Sequence, residues 1–282
     1  EANDVVINEI LFNPRSGGSD YVEFYNRSKK IIDVAALSIA NRNSSGNVSS
    51  LKKLSAEPFY LFPGAYLVMT ADKQNLQAQY LVKNTDAVLQ LSTLPSFPDD
   101  KGTVVLQNDS GIVIDEVAYS KSWHFGLIDN EEGVALERID PDDSSQKKSN
   151  WHSAASTAGY GTPTYRNSQF KTADNPQAII SLSPAVFSPD NDGRDDVVTI
   201  NYQTDKRGYV ANVFIFDAAG RLVKRLVKND LLGLQGKWTW DGLGENNNKL
   251  PVGTYIAFTE IFDLEGKKKS FKNTVVLARQ LN

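Results

Sequence analysis

From residue 187 onward the chain contains the run Phe187-Ser188-Pro189-Asp190-Asn191-Asp192-Gly193-Arg194-Asp195-Asp196, followed by Val197-Val198-Thr199-Ile200. The first part places four carboxylates and a glycine in a short loop, and the second part is β-branched. A tight polar turn that leads into such a run predicts a turn followed by a β-strand. Because this change in character follows a polar region, the run marks the start of a second domain.

The spacing of acids in this loop is compatible with a calcium site. Calcium prefers oxygen ligands at alternating positions of a tight loop, with glycine where the backbone bends sharply. If Gly193 takes the glycine position, Asp190, Asp192 and Asp196 take ligand positions three, five and nine. The backbone carbonyl of Arg194 takes position seven. The predicted metal ligands are therefore these three aspartates and Arg194.

The two ends of the loop fit calcium less well. Ser188 stands first and Thr199 last, where a helix-flanked calcium loop has Asp and Glu. The alternative interpretation is an Asx-rich turn that caps a strand through side-chain to backbone hydrogen bonds. Because carboxylates this close repel one another without a cation, the sequence slightly favours calcium as a cofactor, bound with modest affinity.

Composition indicates a globular chain with room for two domains. The 282 residues are 40% hydrophobic and 23% charged, and they include no cysteine, which excludes disulfides, thiolate zinc sites and cysteine nucleophiles. The net charge of −4 gives no general attraction to phosphate backbones, so no nucleic-acid partner is expected. No apolar run approaches the ~20 residues of a membrane span. The start at Glu1 suggests a processed protein or a piece of a longer one.

Short strands separated by turn residues dominate the first part of the chain, which predicts an all-β sandwich. The helix predicted there is Asp72–Leu81, and residues 41–50 are predicted to form a polar loop. The predicted strands are Asp4–Leu11, Asp20–Asn26, Ile31–Ala40, the end of Leu61–Thr70, Ala87–Leu91, Gly102–Gln107, Val113–Tyr119 and Val134–Ile139.

Separate blocks of this region resemble the bacterial form of the lamin tail domain. They are Val6-Ile7-Asn8-Glu9-Ile10, Asp20-Tyr21-Val22-Glu23-Phe24-Tyr25-Asn26, Leu61-Phe62-Pro63-Gly64-Ala65-Tyr66-Leu67-Val68 and Gly161-Thr162-Pro163. The resemblance covers about residues 3–168 and implies an immunoglobulin-like β-sandwich with a scaffolding or attachment role. It brings no catalytic residues.

Candidate catalytic groups in the first domain are few. The only histidines, His124 and His152, each follow a tryptophan, and neither the spacing of a zinc site nor a nucleophile elbow is present. Asp20, Glu9 and Glu23 would form a carboxylate group if their strands pair. The interpretation favoured for all three is that they are solvent-facing strand residues or turn caps.

The polar stretch Pro163–Gln177 predicts the boundary between a first domain of residues 1–172 and a second of residues 173–282. The second domain is predicted to be another sandwich, with Trp238 and Trp240 on one strand face. Its predicted strands are Ala178–Leu182, Val197–Gln203, Tyr209–Phe216, Arg221–Val227, the tryptophan strand near Lys237, Gly253–Phe262 and Ser270–Ala278.

This part of the chain resembles the immunoglobulin-like C-terminal domain of gliding-motility-associated and type IX-secreted bacterial proteins, and equally the related module of the flagellar hook-capping protein. The resemblance spans about residues 178–280. It is carried by the acidic loop, Phe214-Ile215-Phe216-Asp217, Gly220-Arg221-Leu222-Val223, Trp240-Asp241-Gly242 and Leu250-Pro251-Val252-Gly253-Thr254-Tyr255. It implies export or display at the bacterial cell surface, with this module as a sorting signal or a spacer.

The fold class expected from these observations is all-β, with two immunoglobulin-like β-sandwich domains in tandem. The function expected is that of a non-enzymatic exported or cell-surface protein, with an adhesive or anchoring first domain and a C-terminal module that contacts the export machinery. Its partner at the extracellular surface would be a protein or a glycan. The alternative is a binding accessory region of a larger secreted hydrolase, such as a nuclease or a polysaccharide-degrading enzyme. In that alternative, Tyr21, Tyr25 or Trp123 would contact carbohydrate if they are exposed, and the same aromatics are equally suited to the core.

Overall fold

A computed structural model describes residues 3–170, 178–264 and 267–279 of the chain. The chain divides into two compact units, residues 1–154 with 158–171 and residues 155–157 with 172–282. Both units are built from stacked antiparallel-rich sheets, which confirms the prediction of an all-β protein with immunoglobulin-like sandwiches in tandem. The predicted domain boundary after residue 172 lies outside the described residues and stays a prediction.

The first unit contains a six-stranded sheet of order β12-β11-β1-β2-β7-β8, a four-stranded sheet of order β10-β9-β4-β5 and a small β3-β6 ribbon. Helix α1 (Lys73–Gln79) is the predicted helix, and Asp72 caps its first turn. The strands are β1 (Val5–Leu11), β2 (Tyr21–Asn26), β3 (Ile32–Asp33), β4 (Leu37–Arg42), β5 (Val48–Lys53), β6 (Tyr60–Leu61), β7 (Tyr66–Thr70), β8 (Val88–Gln90), β9 (Lys101–Asn108), β10 (Val113–Ser120), β11 (Leu136–Arg138) and β12 (Trp151–Ser153).

Two local predictions for this unit are wrong. The single strand expected over Ile31–Ala40 is divided by a 3-10 turn at Val34–Ala36, because the Asp33 side chain accepts a hydrogen bond from the backbone N–H of Ala35. Residues 41–50, expected to be a loop, include the end of β4 and the start of β5. β5 is an exposed edge strand, so its polar composition did not reveal it.

Strands β1 and β2 are buried on both faces, which positions the site described below. On one face, Ile7, Val22 and Phe24 pack with Ile39 and Leu106 of the four-stranded sheet. The pairing of β1 with β2 contains a bulge after Ile7. The opposite face, which in an ordinary sandwich would meet solvent, is covered by other parts of the chain.

That cover comes partly from α1 and partly from residues 161–169, which we call the covering segment. Leu76 and Tyr80, in and just after the helix, pack in a second apolar cluster with Leu11 and Tyr21. The covering segment was predicted to belong largely to a polar linker, yet its Thr162, Thr164, Asn167 and Gln169 are buried. Residues 163–170 of the polar stretch at the predicted boundary therefore belong to the first unit, while residues 171–177 lie outside the described part of the chain.

The second unit contains a three-stranded sheet of order β13-β15-β18 and a five-stranded sheet of order β14-β20-β19-β16-β17. Trp238 and Trp240 lie on one strand face, as predicted, and both belong to the core between these sheets. The strands are β13 (Ile179–Ser183), β14 (Val186–Phe187), β15 (Val198–Gln203), β16 (Val210–Asp217), β17 (Leu222–Leu231), β18 (Gln235–Trp240), β19 (Gly253–Phe262) and β20 (Lys268–Leu277).

Candidate functional site

The acidic loop connects β14 with β15 and brings together three of the four predicted metal ligands. Asp190, Asp192 and Asp196 each offer a carboxylate oxygen, and these oxygens lie within 4.8 Å of one another. Asp190 and Asp192 are exposed and Asp196 is half-buried. The group is therefore open to solvent ions.

Backbone N–H groups of the loop already bind these carboxylates. Asp196 accepts hydrogen bonds from Asn191 N at 2.6 Å and from Gly193 N at 2.9 Å. Asp192 accepts one from Arg194 N at 2.8 Å. Gly193 has a φ of +87°, a conformation that favours glycine. The side chains therefore cap the turn, as the alternative sequence interpretation expects. The calcium interpretation stays a prediction, for which each oxygen keeps a second lone pair.

The two ends of the predicted calcium loop do not close around the three aspartates in the way the helix-flanked pattern requires. The Ser188 hydroxyl donates to Asp190 at 3.0 Å. Thr199 lies in β15, where it pairs with Ser183 and Thr239 in the sheet. The side chains that the structure brings together are therefore Asp190, Asp192 and Asp196.

A second group of acids lies in the first unit, between the six-stranded sheet and the covering segment. Glu9 on β1 is directly opposite Glu137 on β11 and directly opposite Glu23 on β2. All three side chains are completely buried. Among the described residues, none of the three forms an ion pair with Lys or Arg. We call this group the carboxyl triad.

The carboxyl triad holds the covering segment through hydrogen bonds. Glu9 accepts from the backbone N–H of Thr162 at 2.8 Å, and Glu23 accepts from that of Thr164 at 2.6 Å. Glu137 accepts from the backbone N–H of Gln169 at 2.8 Å. The covering segment has no regular secondary structure, and these carboxyl groups accept hydrogen bonds from its buried N–H groups. Without such partners, the buried N–H groups would destabilise the fold.

Side chains complete this network. The Tyr21 hydroxyl donates to Glu9 at 2.7 Å, and Asn8 donates to Glu23 at 2.8 Å. Gly161 allows the close approach of the covering segment, since a Cβ there would lie 2.6 Å from the Tyr21 hydroxyl oxygen. The Glu9, Glu23 and Tyr21 side chains are thus parts of one buried polar layer.

Burial dominates the electrostatics of the carboxyl triad. Removal from water, together with the neighbouring Glu137, raises the pKa of Glu9 to about 8. Burial and the charge of Glu9 raise the pKa of Glu23 well above its ordinary value, and burial raises the pKa of Glu137. With a pKa of about 8, the Glu9 carboxyl group holds its proton at neutral pH and can donate as well as accept hydrogen bonds.

The preferred sequence interpretation of Glu9 and Glu23, as solvent-facing residues or turn caps, is therefore wrong. Their strands do pair, and the third member of the group is Glu137, which sequence reasoning missed. Asp20 does not join them, since the acid whose charge acts on it is Asp99. Burial and this neighbouring charge raise the pKa of Asp20 to about 7. The signal that could have revealed the triad is a glutamate that directly precedes or follows an apolar residue in each of three predicted strands.

The two histidines occupy different surroundings. His124 is buried, its Nδ1 lies 2.9 Å from Ser153 Oγ, and burial lowers the pKa of His124 to about 4. Its Nε2 has no partner among the described residues, so no carboxylate orients the ring as in a Ser-His-Asp triad. His152 is half-buried and packs against Phe125, with ring centroids 5.2 Å apart.

Two family descriptions match the chain. The lamin tail domain matches residues 1–121, and the CHU_C type IX secretion signal domain matches residues 181–277. Both resemblances drawn from sequence blocks are confirmed, and of the two alternatives for the second domain it is the type IX family that matches. Neither domain is of a catalytic type. No curated protein matches the chain.

Solved structures give weaker likenesses. CopC from Methylosinus trichosporium OB3b is 17% identical over 38% of this chain and 98% of its own, with a TM-score of 0.24. Latent PorU from Porphyromonas gingivalis is 11% identical over 98% of this chain and 20% of its own, with a TM-score of 0.28. PorZ from the same bacterium is 11% identical over 97% of this chain and 39% of its own, also at 0.28. At such scores the likenesses carry no argument.

Within the described residues, no helix has both the length and the apolar composition needed to cross a membrane.

Proposed function

We propose that this chain, which combines a lamin tail domain with a type IX secretion signal domain, is a non-enzymatic bacterial protein of the extracellular space or outer cell surface. The observation that carries the proposal is the match of residues 181–277 to the type IX signal family. The second unit, in this proposal, is the part that the export machinery contacts. The first unit is the part that attaches to a protein or glycan partner outside the cell.

The surface of the first unit narrows the choice of attachment residues. Tyr21 is buried, so of its two alternatives it takes the core position and does not contact a carbohydrate. Trp123 packs against the core near Trp151, with ring centroids 6.4 Å apart, and Tyr25 packs on Tyr66 at 4.9 Å. These two aromatics are therefore engaged within the fold.

Exposed apolar side chains lie instead at the β3-β6 ribbon. Ile31, Tyr60 and Phe62 are 57%, 58% and 58% exposed, and they flank the pairing of Ile32 with Leu61. Large apolar side chains that stay exposed together mark surfaces used in binding. In the proposed function this ribbon is the attachment surface of the first unit.

We also propose that the acidic loop binds calcium through Asp190, Asp192 and Asp196, with the Arg194 carbonyl as a further ligand. The support is the approach of the three carboxylates within 4.8 Å in an exposed loop, where their mutual repulsion favours a cation. The absence of a closing bidentate glutamate limits the affinity to the range of extracellular modules, with Kd about 10⁻⁴–10⁻³ M.

The export role is tested by deleting residues 178–282 and following the truncated chain in a bacterium that has a type IX secretion system. The proposal expects the full chain outside the cell and the truncated chain retained inside. Because the first unit has its own core, a melting curve of the purified truncated chain separates retention from misfolding. Equal export of both chains contradicts the sorting role.

A further inference from the structure

The five-stranded sheet of the second unit carries apolar side chains on its outer face. Along β16 and β19 the residues that alternate inward, such as Ile215 and Ala257, belong to the core. The residues between them are also largely apolar: Phe214, Phe216, Ile256 and Phe258 lie outside that core and are half-buried. An outer sheet face is normally polar, so this one needs an explanation.

These side chains form one contiguous patch, because their strands pair in register. Phe214 is directly opposite Phe258, and Phe216 is directly opposite Ile256. The ring centroids of Phe216 are 6.5 Å from those of Phe214 and 6.3 Å from those of Phe258. We call these four residues the outer apolar face.

The patch extends toward the edge of the sheet. Val276 on β20 and Val186 on β14 are paired, and they are 36% and 52% exposed. Apolar side chains thus reach from β16 to the edge strand β14. A contiguous apolar surface on a soluble domain commonly marks a binding site.

Cationic side chains stand at both ends of the central aromatic pair. Lys272 on β20 is opposite Phe258, and Arg225 on β17 is opposite Phe214. These cations lie on the first and last of four adjacent strands, so three spacings of ~4.8 Å separate them by about 14 Å. The Lys272 ammonium lies 5.9 Å from the Phe258 ring centroid and has no ion-pair partner among the described residues. Arg225 approaches Glu245 only to 3.8 Å.

The other outer face of the same sandwich has a different chemistry. The three-stranded sheet presents mainly amide and hydroxyl side chains to solvent, including Ser181, Asn201, Gln203 and Gln235. Among the described residues on the two outer faces of this unit, therefore, aromatic side chains with flanking cations occur on the five-stranded sheet alone. This asymmetry also supplies a matched control, since Gln203 is directly opposite Gln235.

We propose that the outer apolar face is the surface by which the second unit docks on a protein of the export machinery that presents apolar side chains flanked by carboxylates. The inference rests on the proposed function. The flanking cations supply the charge complementarity. A sugar is disfavoured because Phe216 and Phe258 meet at 68° and form no flat platform, and because Ile256 and the valines offer no ring.

The experiment follows export of the full chain in a bacterium with a type IX secretion system. The test variant is Phe214→Thr with Phe258→Thr, which keeps side chains suited to a strand. The control variant is Gln203→Thr with Gln235→Thr on the amide face. We expect the exported fraction to fall at least about tenfold for the test variant, as for loss of a central interface contact, and to stay unchanged for the control. Melting curves of the purified proteins establish that both are folded.

A charge-reversal variant, Lys272→Glu with Arg225→Glu, leaves the outer apolar face unchanged. It tests the proposal if the variant with Phe214→Thr and Phe258→Thr does not fold. It should also lower export, while Lys272→Arg should not. Normal export of a folded test variant, or of the charge reversal, overturns the proposal. Two further results would also overturn it: a dimer of the full chain, or binding of the full chain to phosphatidylglycerol vesicles, if either is lost in the test variant. Either result would show that the outer apolar face binds a second copy or a membrane. If deleting residues 178–282 leaves export intact, the proposed function itself fails; if only the deletion blocks export, this docking surface alone fails.

Discussion

Glu9 and Glu137 face each other across two antiparallel strands, and the hydroxyl of Thr162 lies between their carboxyl groups. Thr162 Oγ1 is 3.0 Å from Glu9 Oε2 and 2.8 Å from Glu137 Oε1. A hydroxyl has one proton to donate, so it can satisfy only one of the two carboxyl groups in this way. The other contact is a hydrogen bond if that carboxyl is itself protonated, which agrees with the raised pKa of Glu9.

Stability should therefore fall as pH rises from about 5 to 8. The pKa of Glu9 is about 8 in the folded protein against an ordinary value of 4.5. Between these values the folded chain holds a proton that the unfolded chain has lost, so stability decreases by up to about 1.4 kcal/mol per pH unit and is constant above the folded pKa. Asp20, with its pKa near 7, adds to the same trend. Urea unfolding at several pH values measures the slope.

The substitution Glu9→Gln isolates the contribution of this group. Glutamine mimics the protonated acid: its carbonyl oxygen can accept from Tyr21 and Thr162 N, and its amide can donate to the Thr162 hydroxyl. We expect stability equal to that of the parent chain near pH 5 and higher by roughly 1–3 kcal/mol at pH 8. Glu57→Gln, at an exposed carboxylate, is the control and should leave the slope unchanged. A Glu9→Gln slope equal to the parent slope would contradict this account.

Removing the bridging hydroxyl should loosen the covering segment. Thr162→Val keeps the shape of the side chain but leaves both carboxyl groups short of a partner, at a cost of about 2–3 kcal/mol. Arg166, which lies exposed in the same segment, should then be cut faster by trypsin. Thr239→Val, on the exposed side of β18, is the matched control and should change neither quantity by much. An unchanged cleavage rate in Thr162→Val would show that this hydroxyl does not hold the segment.

The buried ion pair of Arg138 with Asp115 should contribute far more to the free energy of unfolding than the more exposed ion pair of Arg42 with Glu116. The two side chains are each 2% exposed and 2.9 Å apart, and Asp115 also accepts from the backbone N–H of Ile7. Asp115→Ala leaves a buried guanidinium without its partner and should cost about 3–5 kcal/mol. Glu116→Ala breaks the more exposed pair with Arg42 and should cost no more than about 1 kcal/mol. Similar losses in urea unfolding for both variants would refute the distinction.

Calcium should raise the melting temperature of the second unit. With a Kd of about 10⁻⁴–10⁻³ M, calcium at 1 mM that binds only the folded state adds about 0.4–1.4 kcal/mol to the free energy of unfolding. Asp192→Asn should reduce the shift seen with millimolar calcium, because it removes a predicted ligand charge. Asp195→Asn is the control within the loop, since Asp195 lies outside the predicted ligand set. Absence of a shift in the parent chain, or its persistence in Asp192→Asn, would exclude the site as proposed.

Local pattern was sufficient for much of the fold. Alternation of apolar side chains predicted most strands, and Asp72 marked the start of α1. The acidic loop was also predictable, because its three aspartates lie within seven residues of one another and a tight turn keeps them together. Interactions of this range depend on backbone sterics and hydrogen bonds between near neighbours.

The sequence by itself determined the class of fold, the positions of most strands and the candidate cation loop. Only the tertiary structure decided that Glu9, Glu23 and Glu137 meet, that residues 161–169 cover them, and that Phe214 and Phe258 share an outer face. The physical reason is distance along the chain. Register and burial are set by contacts such as that of Glu9 with Thr162, 153 residues apart, and no local propensity specifies which strand becomes the neighbour of another.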